Sequence, residues 1–333
     1  MAKRWMLAAL LACGLAQAPA QAQWGFNGEM ADPRYDPNVA GNAAAEAAVD
    51  MPSLELNVDY LMWWLRDPRF GAPIGAGVAG GPVLAQNGLD YDDPFSGARL
   101  AARFWCDNTQ TGSLEIAGLI VGENSVTSLQ TVGTTSLLVS STSKMWGAEG
   151  NLIVDTLYCG LELIAGYRML DLQERVDIAD VVAPAVINPD RFATRNQFYG
   201  GQVGARASYR FGPLTVGAQA KLALGHNHQS ADLSGFVTSA AGVTTVGGRY
   251  TGAGNIGRTT KGVFSVLPEA EARLGLEVGN GVILYAGYNV LFLTNALRPG
   301  DQIVGPPNSA VPVPFIDTHM WAQGLNFGLE VRY

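Results

Sequence analysis

The stretch LNFGLEVRY, residues 325–333, alternates apolar and polar side chains to the last position of the chain. Leu325, Phe327, Leu329, Val331 and Tyr333 share one face of an extended segment. Asn326, Gly328, Glu330 and Arg332 share the other, because successive strand residues point to opposite sides. Chain ends usually fray, so a strand ordered to its final tyrosine predicts pairing along both of its edges. Only a sheet closed on itself provides that.

The same alternation recurs upstream. In LELNVDYLMWWLR (54–66) the set Leu54, Leu56, Val58, Tyr60, Met62 and Trp64 alternates with Glu55, Asn57, Asp59, Leu61 and Trp63. Further strands are predicted at 98–105, 113–121, 146–155, 161–170, 199–211, 214–224, 263–278 and 282–293, and a last one ends at Tyr333. The segment at 263–278 has helical composition after Pro268. It is read as a strand because Gly279-Asn280-Gly281 then makes a hairpin into VILYAGYNVLFL. The total is about ten, and the even number suits an antiparallel up-and-down barrel that crosses a membrane.

The connections carry independent information. Those near Asp107–Thr111, Asp155–Gly160, Gly212-Pro213 and Gly279–Gly281 are short. Those at 67–96, 122–144, 176–196, 226–262 and 294–319 are long and rich in Gly, Ser, Thr and Pro. Short turns at one end and long loops at the other are the mark of outer-membrane barrels, with the turns periplasmic. Trp64, Trp146, Tyr199, Phe264, Phe292 and Trp321 are expected at the outer strand ends, and Phe104, Tyr209, Phe211 and Tyr333 at the inner ends, as two aromatic girdles.

The N-terminus agrees with export. Lys3 and Arg4 precede an apolar run from Trp5 to Leu15, followed by Ala20 and Ala22 in A-x-A register, which predicts a signal peptide over 1–22. A lipoprotein signal at Leu10–Cys13 is the weaker alternative, because it puts leucine where a smaller residue is usual. Residues 23–53 read as a flexible periplasmic lead-in, and 54–333 as the barrel. The formal net charge of −8 becomes −10 when Lys3 and Arg4 are removed, which argues against nucleic acid as a partner. Expected partners are outer-membrane lipid and the machinery that assembles barrels. After cleavage Cys106 and Cys159 remain, read as two separate buried thiols in preference to a disulfide, which export would allow.

Four motifs carry a resemblance. LNVDYLMWWLR (56–66), LIAGYRMLDLQERV (163–176), RFATRNQFYGGQVGA (191–205) and WAQGLNFGLEVRY (321–333) resemble the outer-membrane family named beta-barrel protein seven, long catalogued as a domain of unknown function. The resemblance implies a barrel and its location, and brings no catalytic residues.

Chemistry-bearing residues are few. Glycine-rich G-x-G-x-x-G matches at 75–80 and 252–257 read as loops, since neither lies between a strand and a helix that could hold a phosphate. His226, His228 and His319 are expected at the outer rim, where solvated histidines are commoner than metal ligands; Asp232 and Asp317 are near enough to keep a rim protease as an alternative. No cofactor is expected. The strongest signal is the charge on the polar strand faces: Arg99, Arg103, Glu162, Arg168, Arg206, Arg210, Lys221, Glu269, Glu271, Arg273, Glu277, Glu330 and Arg332, with Glu55, Asp59 and Glu115. A charge facing lipid at mid-membrane costs about 2–4 kcal/mol, so these groups should face the lumen. In a barrel of about ten strands mixed charges suggest a braced plug, with a narrow porin-like channel as the alternative.

Overall fold

The computed structural model describes residues 53–71, 73–75, 81–106, 111–156, 160–182, 186–239, 241–279, 281–303 and 312–333. The expected signal peptide at 1–22, the lead-in up to residue 52, Asp107, Asn280, Cys159 and most of the first glycine-rich match lie outside the described residues.

Eleven strands run in chain order: β1 (Leu54–Leu65), β2 (Phe95–Trp105), β3 (Gly112–Val132), β4 (Thr135–Asp155), β5 (Leu161–Val182), β6 (Val186–Phe211), β7 (Leu214–Thr238), β8 (Thr244–Val246), β9 (Gly257–Gly279), β10 (Val282–Leu297) and β11 (Asp317–Arg332). Each pairs antiparallel with its neighbours, β8 only with β7, and β6 also pairs with β7, so ten strands close into a barrel. The seam is β1 against β11, in register from Glu55↔Arg332 to Leu65↔Ala322. Beyond the last strand residue, the Tyr333 N–H donates to the Leu54 carbonyl at 2.8 Å, and the Tyr333 carbonyl accepts from Leu54 at 3.1 Å. The terminal strand is ordered because each edge has a partner.

The turns between β6 and β7 and between β9 and β10 are tight. Gly212, at φ 60°, supplies the left-handed residue that the Gly212-Pro213 turn requires. At the opposite end the strands run much further than the pattern of turn residues suggests. Residues 122–132, 135–144, 176–182 and 186–196, expected as loops, are continuations of β3, β4, β5 and β6. Similarly, β7 continues to Thr238 and β9 begins at Gly257, inside the expected loop 226–262. Strands that leave the membrane no longer need one oily face, so Ser and Thr fill their outward positions and resemble loop composition.

Outward positions from Leu214 to Leu224 on β7 are apolar or small. At about 3.3 Å per residue and a tilt near 40–45°, that run covers about 25 Å, the height of an outer-membrane apolar band. Tyr199, His226 and Phe264 stand in one register line at its upper edge, and Phe292 faces Trp321. Trp146 also sits part-way along its strand, whereas Trp64 is one residue short of the upper end of β1. Tyr209, Phe211 and Tyr333 are exposed at the lower edge. The upper aromatic level is therefore not the strand end, because β6 rises about 30 Å above Tyr199 before it turns.

Candidate functional site

Strand alternation aims every second side chain into the barrel, and what lies there changes with height. The lower layer is ionic. Arg99 pairs with Glu269 at 2.7 Å and Glu271 at 3.4 Å, Arg103 with Glu162 at 2.8 Å, and Arg206 with Glu115 at 2.8 Å and Glu162 at 3.8 Å. Lys221 reaches Glu149 at 2.5 Å and Glu269 at 3.8 Å, while Arg168 contacts Glu269 and, at 3.7 Å, Glu149. Nearer the periplasmic end, Arg210 pairs with Glu277 at 3.4 Å, Arg273 with Glu330 at 3.6 Å, and Arg332 with Glu330 at 2.5 Å and Glu55 at 3.4 Å.

Of the sixteen charged residues singled out by the strand pattern, fifteen thus take part in ion pairs inside the barrel, and Asp59 is hydrogen-bonded with Tyr285 instead. The pairing differs from simple cross-strand bracing. Arg206 on β6 spans the lumen to Glu115 on β3 instead of meeting the β9 carboxylates, and its Nε donates to Gln219 at 2.8 Å. Glu149, absent from the expected set, is a hub between Lys221 and Arg168. Its neighbours in WGAEGNLIVD gave the signal, since Glu149 alternates with Trp146 and Ala148. Side-chain exposure falls from 43% at Arg210 to 1% at Glu269, so the layer grows drier upward. A cavity of about 50 Å³ lies among Asp59, Arg99, Glu115, Arg206, Glu271 and Tyr285, with Ala101, Ala117 and Gly217 leaving the room.

Above the charges the lumen turns apolar, which the charged strand faces did not announce. Leu61, Trp63, Leu119, Val121, Leu170, Leu172, Phe198, Leu267, Leu291 and Leu293 form one buried cluster. Trp63 sits at the junction, fully buried, with the Arg99 guanidinium 5.9 Å from its ring. Gly324 opposite has to be glycine, because a Cβ there would come within 2.8 Å of the indole and 2.2 Å of the Met62 carbonyl. A second cluster, with Phe70, Ile74, Leu89, Val139, Ile178, Phe192, Leu233, Tyr250 and Ile303, fills the part of the barrel that rises above the membrane. Several of these side chains come from the external connections, which fold inward.

Polar clasps hold those connections. Arg298 donates to Glu174 through Nε at 3.1 Å and Nη2 at 2.6 Å, and to the carbonyls of Asp67 and Arg66 at 2.9 Å. Asp190 accepts the backbone N–H groups of Arg249, Tyr250 and Thr251 at 2.8–3.1 Å. Arg249 joins Asp180 at 2.6 Å and the Gly75 carbonyl at 2.8 Å, and the Gly75 N–H donates to the Tyr250 hydroxyl at 2.7 Å. Burial pushes the carboxyls of Asp67 and Asp301 up, against the Tyr91 N–H on the first and the Arg298 charge on the second.

His319, the third residue of β11, is at the upper end of its strand as expected, but the other two histidines are not at the rim. His226 and His228 lie on the outward-facing side of β7, twelve and ten residues short of its upper end at Thr238. His319 is stacked on Phe292 with ring centroids 5.2 Å apart, and two strands separate it from β7. Asp317 is engaged by Gln229 and Lys261, each at 2.8 Å. Among the described residues no group of His, Cys, Asp and Glu could hold a metal ion. The second glycine-rich match, Gly252–Gly257, is a turn leading directly into β9. Cys106 is not buried as expected but exposed at the lower end of the barrel. Leu325, Phe327, Leu329, Val331 and Tyr333 occupy the outward face of the closing strand and its end, with Phe327 46% exposed.

A family model described as "Putative beta barrel porin-7 (BBP7)" matches residues 129–333. No curated protein sequence matches the chain significantly. Among solved structures, the outer membrane protease OmpT from Escherichia coli superposes with a TM-score of 0.51 at 10% identity, over 87% of this chain and 99% of that one. The translocator domain of the autotransporter NalP from Neisseria meningitidis aligns at 10% identity over 86% and 90% of the two chains, with a TM-score of 0.37. At this identity the likeness to OmpT concerns the fold alone.

Proposed function

The chain belongs to the beta barrel porin-7 family, and on that premise we propose that it is an exported outer-membrane barrel with a closed lumen, serving as a structural or surface-interaction protein. Its signal peptide is removed after Ala22, assembly machinery inserts it through the β11 end, and the lipid of the outer membrane surrounds it. The observation that carries the closed lumen is the apolar cluster around Trp63, Phe198 and Leu291, stacked on a dry ionic layer. Hydrated ions would have to shed water twice, first among committed ion pairs and then against hydrocarbon.

The porin-like alternative draws on the family description and on the cavity of about 50 Å³ in the lower lumen. That space supports a vestibule opening to the periplasm more than a through-path, because the apolar cluster lies above it. The rim-enzyme alternative has less support: no described histidine shares a hydrogen bond or ion pair with a carboxylate, so no acid–base pair is poised on a water. Single-channel recording of the purified, heat-modifiable barrel in planar bilayers tests the proposal. Bilayers that stay silent after verified insertion are the expected result, and steady unitary currents would replace the closed barrel by the channel.

A further inference from the structure

Just above the aromatic level, on the outward side of β4, β5 and β6, charged residues gather on one flank. Three arginines there bring Nε to an aspartate. Arg175 Nε lies 2.8 Å from Asp177, Arg191 Nε donates to the other Asp177 oxygen at 2.6 Å, and Arg195 Nε donates to Asp171 at 2.9 Å. Lys144, beside Gln173 in the register, pairs with Glu123 at 3.5 Å. Asp171 lies across from Trp146, and Gln197 beside it is two residues above Tyr199. The patch thus begins at the girdle and climbs about 20 Å along the strands from Gln197 to Arg191.

We propose that this face binds the phosphate of an anionic lipid headgroup in the surrounding leaflet, a reading that rests on the membrane placement of the barrel. Four cations meet only three carboxylates, on a chain whose formal charge is −8. Arg191 and Arg195 spend their Nε edge on an aspartate by a hydrogen bond, which fixes the plane of the guanidinium, while Arg175 meets Asp177 as an ion pair alone. Arg175 and Arg191 keep their terminal nitrogens for a ligand, with side chains 42% and 56% exposed. Asp177 is shared by two arginines, so an added anion completes the balance and displaces nothing. The patch starts at the height at which lipid phosphates lie beside interfacial tryptophan and tyrosine. By contrast, the outward face of β7 at this level carries His226, His228 and Asp232, which offers no such clamp.

Native mass spectrometry of the detergent-extracted barrel, titrated separately with phosphatidic acid, phosphatidylcholine and inorganic phosphate, tests this. The expected result is preferential retention of phosphatidic acid. The double variant Arg175→Gln, Arg191→Gln should bind it about tenfold more weakly, the loss of a charge-assisted contact. Arg258→Gln, exposed on β9, should bind as the wild type does. A heat-modified gel shift certifies that each variant is folded, and each single substitution is measured first. Equal retention of both lipids, undiminished binding by the folded double variant, or inorganic phosphate binding as tightly as the lipid would overturn the proposal. Failure of the chain to insert into vesicles at all would instead refute the membrane placement.

Discussion

Phe327 and Asn326 are consecutive residues in different solvents. Phe327 is 46% exposed on the lipid side, whereas Asn326 is 1% exposed and donates through Nδ2 to Glu271 at 2.8 Å. An aspartate at 327 would set a charge against hydrocarbon, at about 2–4 kcal/mol near the midplane and less toward the interface. Phe327→Asp should therefore fail to assemble while Phe327→Leu assembles, as read by heat-modified gels of membrane fractions. If Phe327→Asp entered the membrane as well as Phe327→Leu, the inward and outward faces of β11 would be wrongly assigned. The neighbouring change is not harmless either. Asn326→Asp would bring one carboxylate against another at Glu271, so it should lower the unfolding temperature without blocking insertion. The outward or inward sense of both residues was legible from alternation alone. The partner of Asn326 was not, because register and side-chain reach across the lumen leave no mark on a single strand.

At the scale of elements, the short turns and the closing strand were readable, and the outer halves of the strands were not. Val176, Ile178 and Ala179 alternate with Asp177 and Asp180 only loosely, and the Ser and Thr of 122–144 look like linker composition. The missed apolar layer did leave a trace. LMWWL (61–65), GLIV (118–121) and VLFL (290–293) are apolar on both faces, as a strand must be when lipid lies on one side and a dry interior on the other. The long strands revise where a protease can act on intact cells. Cleavage is expected at the exposed β7–β8 hairpin, residues 241–246, while Gly212-Pro213 is spared. Cleavage at Gly212-Pro213 alone would invert the barrel. The same assay probes the clasped connections by pH. A carboxyl raised in the folded state, as at Asp67 and Asp301, adds stability when it is protonated and loses it as pH rises through its folded value. Lowering the pH from 7 to about 5 should then leave cleavage of these connections unchanged or slower. Faster cleavage in that window would show that other carboxylates, acting with the opposite sign, govern the closed face.

For the whole molecule, two barriers stand in series along one axis, and they should fail differently. Glu269 touches Arg99 at 2.7 Å, Arg168, and Lys221 at 3.8 Å, with a side chain only 1% exposed. Glu269→Ala leaves Arg99 to Glu271, and Lys221 and Arg168 to share Glu149, so one positive charge goes uncompensated in a poorly hydrated interior, at about 3–5 kcal/mol. In an open aqueous pore the same change would cost about 1 kcal/mol or less, because water would screen the charges. The variant should thus shift to its unfolded gel position at a lower temperature. It should nevertheless remain electrically silent, because the apolar cluster above still excludes water. Conversely, Trp63→Ala with Phe198→Ala removes two of the largest fully buried side chains, one of them at the junction of the layers. Water can then reach the ionic layer from above, and small, irregular currents should appear in the fraction that still folds. Each substitution isolates one barrier, so the pair separates a plug from a pore. A wild-type barrel that conducts steadily, with Glu269→Ala changing ion selectivity while heat stability stays the same, would mean that the lumen is wet throughout and the chain is a channel.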